Sequence, residues 1–245
     1  FGLEMADLSD IAAAAEFKVF SSAVEDGGIV KGFSVPGVGG YPRRQLDELT
    51  EFTKSRGARG LVYIAINEDA GSIDDLAEGQ FKSPAAKFLS LDEIKAIARA
   101  TGASAGDLIL IVAGPSKSTN VALGALRNEM GRRLELADPD MLAFAFVVDF
   151  PLFEHNEDTG RWDAMHHAFS MPHEDDIQYL ESDPGRVIGM LYDLVCNGLE
   201  CASGSIRVHQ RALQERIFKV LGYTDAEIEQ RFKQLLDALE YGAPP

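Results

Sequence analysis

From about residue 17 to residue 136, short apolar runs alternate with amphipathic ones, and glycine or proline stands at the joints. That succession is the mark of a mixed α/β domain. FKVFSS and GGIVKGFSV read as a strand pair turning at Gly27 and Gly28. Pro42 opens a helix through RRQLDELTEFTKSRG, and Gly57 stops it. GLVYIAI follows as a strand. Ser90, with Glu93 three residues on, makes a capping box for SLDEIKAIARATG. GDLILIVAG reads as a buried strand bounded by glycines, and Pro115 and Ser116 start the next helix. On that helix Val121, Leu123, Leu126, Met130 and Leu134 recur at helical spacing and are expected in the core. The polar, acidic stretch between Asn67 and Ala85 is expected to be mobile or functional rather than packed.

A chain of 245 residues exceeds one minimal core, so two domains are expected. ELADPDMLA, with Pro139, has the composition of a linker between them. Beyond it FAFVVDFPLFEH reads as a long apolar strand ended or bulged by Pro151, and DTGRWD as a hairpin turn. PGRVIGMLYDLVCNGLE is predicted as a helix starting after the Ser182-Asp-Pro signal, and SGSIRVH as a strand. Two helices follow, ALQERIFKVLG and one opened by Thr224, where Glu227 completes a second capping box.

The formal charge of −16 is a poor match to broad phosphate neutralisation, which needs a basic face. A local patch at Arg127, Arg132 and Arg133 reads as a solvated helix end. No apolar run approaches the roughly 20 residues that span a bilayer. The opening FGLEMADLSDIAAA begins at Phe1 and lacks the features of a signal peptide, so the start reads as a boundary within a longer protein. Cys196 and Cys201, with no CxxC spacing, fit a reducing cytoplasm and leave no cysteine-type zinc site.

The polar residues of the second domain concentrate in three short segments. AMHHAFSMPHEDD carries His166, His167 and His173 before Glu174, Asp175 and Asp176. Adjacent histidines in an extended segment point to opposite sides, so histidines hydrogen-bonded in a loop are as good a reading as metal ligands. In YDLVCNGLE, Asp193 and Glu200 are seven residues apart, close to two turns of the predicted helix. Two carboxylates on one face could anchor Mg²⁺ on a triphosphate, although a solvated acidic helix is the commoner meaning of such a pair. Arg207 shares a strand face with Ser205 and His209. It suits a two-point grip on a carboxylate, against the plainer alternative of a surface ion pair.

VVDFPLFE, MHHAFSMP, YDLVCNGLECASGSIRVH and LLDALEYGAPP resemble, in order and spacing, the later catalytic region of bacterial-type aspartyl-tRNA synthetases. FKVFSSAVEDGGIVKGFSVPG, LDELTEFTKSRGARGLVYI, KFLS, TGASAGDLILIVAG and VALGALRNEMGRRLEL are similar to the domain such enzymes carry inserted in the catalytic core, which also occurs in a tRNA-dependent amidotransferase subunit. The resemblance covers about Phe17 to Pro245 and implies an internal fragment with an α+β fold. Residues 1–16 would lead in from the catalytic core, 17–138 form the inserted α/β domain, and 139–245 form part of a class II antiparallel sheet with helices. The implied activity is ATP-dependent activation of aspartate to aspartyl-adenylate and its transfer to tRNA(Asp), in a cytoplasmic homodimer. By the same resemblance His166, His167 and Arg207 bind aspartate, while Asp193 and Glu200 serve ATP and Mg²⁺. Other motifs of the family would lie outside the chain, so the fragment alone is expected not to aminoacylate.

The family's HHPFT is here HHAFS, with Ala168 and Ser170, and the run after Glu200 is ECASGS rather than glycine-rich. These departures imply tuning of the site. Two other functions compete: a non-catalytic module that binds tRNA or a partner through its first domain, and a metal-dependent hydrolase built on His166, His167, His173 and the following acids. Salt-dependent tRNA binding would mark the first, and stoichiometric Zn²⁺ uptake with hydrolysis the second.

Overall fold

The computed structural model describes residues 2–244; Phe1, where the boundary was expected, and Pro245 lie outside them. The chain divides into two compact units at Asp138 and Pro139.

The first unit is built on a five-stranded antiparallel sheet. Its elements are β1 (Ala6–Asp7), α1 (Ser9–Ala14), α2 (Lys18–Glu25), β2 (Ile29–Val35), α3 (Arg43–Ser55), β3 (Val62–Ile66), β4 (Phe81–Lys82), α4 (Leu91–Ala100), β5 (Leu108–Gly114) and α5 (Ser116–Arg133). The strand order is β1-β2-β5-β3-β4. In β5 Ile109 and Ile111 face one side, where Phe20, Ile94 and Ile97 of α2 and α4 pack. Leu108, Leu110 and Val112 face the other, against Leu46 and Leu49 of α3 and Leu123, Leu126 and Met130 of α5. Alternation along a strand covered on both sides explains why GDLILIVAG is apolar without interruption.

Several expectations need correction here. FKVFSS is helical, not a strand: Phe17, Phe20 and Val24 recur at spacings of three and four and pack together into the core. Gly27, at φ 76°, then turns the chain into β2. Val121 is 58% exposed, because it lies about 200° around the helix from Leu123; Thr119 and Ala122 take the inner positions instead. The stretch from Asn67 to Ala85 is packed, with Ala70, Leu76 and Ala85 buried and β4 paired to β3. The leading residues also belong to this unit, since β1 is an edge strand paired with β2, and Leu8 and Ala12 are buried in its core. Arg132 and Arg133 both bond Glu129, at 2.8 and 2.7 Å, and hold its carboxyl below the usual range. One carboxylate thus offsets part of their charge.

The capping box at Ser90 is present: the hydroxyl accepts from Glu93 N at 3.2 Å, and the Glu93 carboxylate accepts from Ser90 N at 2.6 Å. Ser90→Ala is expected to cost about 1 kcal/mol. An unchanged urea midpoint would show that α4 is held by packing alone.

The second unit comprises β6 (Phe144–Val147), β7 (Phe153–Asn156), β8 (Arg161–Ala164), β9 (Leu191–Cys196), β10 (Leu199–Ser205), α6 (Arg211–Val220) and α7 (Asp225–Glu240). The expected long strand from Phe144 is broken into β6 and β7, where Asp149 takes φ 60° just before Pro151. β7 and β8 form a hairpin around the predicted turn. The predicted helix from Pro184 to Glu200 does not form. After one 3-10 turn at Pro184–Arg186 the chain makes the antiparallel hairpin β9–β10, whose turn is Asn197-Gly198 at φ 50° and 82°. Both turn residues take positive φ, as a tight two-residue hairpin demands, and Asn-Gly is the pair best able to supply it.

The core of this unit joins Leu152, Phe153, Met171, Val187, Val208, Leu213 and Ile217, with a second cluster around Phe218, Ile228, Leu236 and Leu239 between α6 and α7. The Thr224 and Glu227 capping box is present, with Thr224 N donating to Glu227 at 2.8 Å. Arg211 spans the two helices through Glu215, Asp237 and Glu240, and the first two of these bonds keep its guanidinium protonated beyond its ordinary range.

Candidate functional site

The sheet β10-β9-β6 carries the acids. Register places Ser203 opposite Asp193 and Glu200 opposite Val195, while Val147 and Ala145 of β6 face the same two residues of β9. Directly paired residues share a face, so Asp193, Glu200 and Ser203 stand on one side. A regular strand would put Glu200 and Ser203, three residues apart, on opposite sides. The bulge between Glu200 and Ala202 adds one residue and restores them to the same side. The two carboxylates therefore come together across a bulged hairpin, not along a helix. The other side is aromatic and apolar: Phe144, Phe146, Tyr192 and Leu199 are 58%, 66%, 43% and 74% exposed, with Phe146 edge-on to Tyr192 at 5.6 Å.

Past their paired residues, β9 and β10 part, and the segment Phe169–His173 lies between them. Met171 N donates to Ile206 O at 2.8 Å and Val208 N to Phe169 O at 2.8 Å on one flank. On the other, Met190 N donates to Met171 O at 2.7 Å and His173 N to Ile188 O at 2.9 Å. The end of the HHAFS loop is thus a short strand inserted into the sheet. It stands Ser170 opposite Arg207.

Arg207 lies two residues beyond Ser205, so continued alternation carries it onto the side of Ser203 and Ser205. Its guanidinium carbon is 5.8 Å from the centre of the Phe169 ring, a cation–π contact that leaves the side chain exposed. No ion pair engages Arg207 among the described residues, so the plain surface-salt-bridge reading does not apply. His166 and His167, both exposed, immediately precede the inserted segment. The His166 ring stands edge-on to Phe150 at 4.8 Å, and His167 Nδ1 accepts from Phe169 N at 3.4 Å.

Among the described residues no three His, Cys, Asp or Glu side chains form a metal-binding group, so the constellation a metal-dependent hydrolase would need at His166, His167 and His173 is not assembled. Asp193 and Glu200 offer the sparser donor set that suits Mg²⁺, which takes one or two protein carboxylates and completes its shell with water and phosphate oxygens. No helix among the described residues is long and apolar enough to cross a membrane.

One residue escaped the sequence reading. Gln214 of α6 is fully buried, and its amide donates to the carbonyl of Ala168 at 2.6 Å. The available signal was a polar residue on the inner face of ALQERIF, next to Leu213 and Ile217.

A mixed α/β unit on a five-stranded sheet, joined to a bulged antiparallel sheet bearing two acids and an arginine, matches known proteins at both levels. Residues 20–123, within the first unit, match the GAD domain family. Over all 245 residues the chain is similar to aspartate–tRNA ligases. It is 50% identical to the aspartate–tRNA(Asp/Asn) ligase of Dehalococcoides mccartyi, covering 41% of that protein. It is 47% identical to the enzyme of the same name from Geotalea uraniireducens and 46% identical to the aspartate–tRNA ligase of Clostridium acetobutylicum, covering 40% of each. The chain thus spans about two fifths of the length of these relatives.

Proposed function

We propose that the second unit presents the aspartate- and nucleotide-binding surface of an aspartate–tRNA ligase, which activates aspartate with ATP and passes it to tRNA(Asp). The observation that carries this reading is the register that sets Asp193 and Glu200 on one side of a sheet, with Arg207 two residues beyond the end of β10. Arg207 would grip the side-chain carboxylate of aspartate by two parallel hydrogen bonds, and its unpaired guanidinium is available to do so. Asparagine would leave that charge unmatched, which supplies discrimination.

His166 and His167, which immediately precede the inserted segment, would contact the same amino acid. Asp193 and Glu200 would hold Mg²⁺ and ATP; the ion neutralises phosphate charge when bound. The protein's part is then positioning and electrostatics: no side chain here needs to act as a nucleophile when the substrate carboxylate attacks the α-phosphorus and pyrophosphate leaves. The reading makes the sheet part of a class II catalytic domain, with the first unit inserted in it, in a cytoplasmic homodimer. The complete reaction is proposed for a protein of the relatives' length, and amino acid and nucleotide recognition for these 245 residues.

Calorimetric titration with a non-hydrolysable aspartyl-adenylate analogue tests this. Binding is expected, and Arg207→Ala should weaken it at least about tenfold, since one charge-assisted pair is lost. Equal binding by both proteins would remove Arg207 from the pocket, and no binding by either would withdraw the reading for this chain.

A further inference from the structure

We propose that Gln214 is a positioning residue that clamps the histidine loop from α6; its service to aspartate binding rests on the function proposed above. The side chain is fully buried, on the face of α6 that also carries the buried Leu213, Ile217 and Phe218. Its amide makes one hydrogen bond, 2.6 Å to Ala168 O, while its own Oε1 has no partner among the described residues. For stability alone this is a poor choice, because a buried unpaired acceptor costs more than one neutral hydrogen bond gains. An apolar side chain of the same size would serve the core better.

What Gln214 does instead is fix one particular carbonyl. Ala168 follows His166 and His167 directly and precedes the inserted segment whose Ser170 faces Arg207. Extending that antiparallel register by two residues sets Ala168 opposite His209. Val208 N also donates to Phe169 O, so the clamp and the ladder hold successive carbonyls, Ala168 and Phe169. Ala168 does not fix its own backbone torsion, as a proline would. The buried amide supplies from outside the loop a restraint that the loop's own sequence lacks.

Gln214→Met and Gln214→Ala in the full chain separate positioning from packing. Methionine keeps the volume and removes the donor; alanine removes both. Amide exchange of residues 166–171 is expected to accelerate about tenfold in both variants, with β9 and β10 unchanged, and the Met variant should bind the aspartyl-adenylate analogue about tenfold more weakly. Wild-type loop exchange in the Met variant would reduce Gln214 to a space-filler and overturn the proposal. So would loss of protection throughout the second unit, or a loosened loop with undiminished analogue binding. If the unaltered chain binds no analogue, the aspartate reading fails, whereas the clamp is still decided by the exchange comparison.

Discussion

Phe218→Ala is expected to destabilise the second unit by about 4 kcal/mol, within the range for emptying an aromatic site in a core. Phe218 is fully buried and stacks on Phe232 with ring centres 4.1 Å apart. Tyr223 meets it edge-on at 6.0 Å and Phe169 at 6.2 Å. Phe232 of α7, Tyr223 in the turn between α6 and α7, and Phe169 in the segment inserted between β9 and β10 therefore lose their common partner at once. No polar contact remains to hold the cavity open or closed, so the cost is lost burial and dispersion. Trp162, the chain's one tryptophan, packs against the same unit's core, so its fluorescence in urea reports this transition. A loss below about 1 kcal/mol would mean that α7 closes over the gap and that the aromatic cluster does not fix the helix pair. Phe218→Leu, which keeps most of the volume, should cost much less.

The second large effect is expected in the first unit, from a single methyl group. An ideal Cβ on Gly39 would lie 2.4 Å from Ile66 O, 2.8 Å from Gly106 O and 2.9 Å from Asp107 O. All three are backbone atoms, so no side chain can swing aside. Gly39 N also donates to Gly106 O at 2.7 Å, and Asp107 secures the same turn by accepting from Gly37 N at 3.0 Å and Ser104 N at 2.8 Å. Gly39→Ala must push the loop off the ends of β3 and β5, at a cost on the order of 3 kcal/mol. Gly40→Ala meets nothing within 4 Å and serves as the control, expected within about 0.5 kcal/mol of the parent. Amide exchange of β5, Leu108–Gly114, measures the difference, and equal protection in the two variants would refute the tight approach.

The two units differ in how much of them could be read from sequence. In the first, α3, β3, α4 and β5 follow from signals contained within each element: a proline start, a capping box, an apolar run between glycines. FKVFSS misled because its aromatic and β-branched residues suit a strand, whereas the spacing of Phe17, Phe20 and Val24 favoured the helix that the core selects. The stretch from Asn67 to Ala85 looked unstructured because its three buried residues, Ala70, Leu76 and Ala85, are too scattered to make a period.

In the second unit the Ser182-Asp-Pro start signal suggested a helix, and that reading overrode Asn197-Gly198, the stronger local signal for a hairpin. Asp193 and Glu200 were chosen as a pair on the wrong geometry. They do share a face, but through cross-strand register and a bulge that no periodicity reveals. The strand expected through SGSIRVH ends at Ser205, and Arg207 beyond it keeps an isolated bridge to Ser170. The insertion of Phe169–His173 between two strands, and the amide of Gln214 on Ala168, depend on contacts between distant parts of the chain.

The added residue in β10 has a consequence for how this stretch can change over time. Because each step along a strand reverses the side a residue serves, what the stretch from Gly198 to Arg207 must preserve is an odd-or-even count, more than the identity of Cys201, Ala202 or Ser203. A substitution at Cys201, Ala202 or Ser203 leaves that count unchanged. A deletion or insertion of one residue would turn over everything beyond it. What this hairpin must keep is the parity of that count, Asn197-Gly198 at its turn, and Gly204, where a Cβ would lie 2.7 Å from Tyr192 Oη.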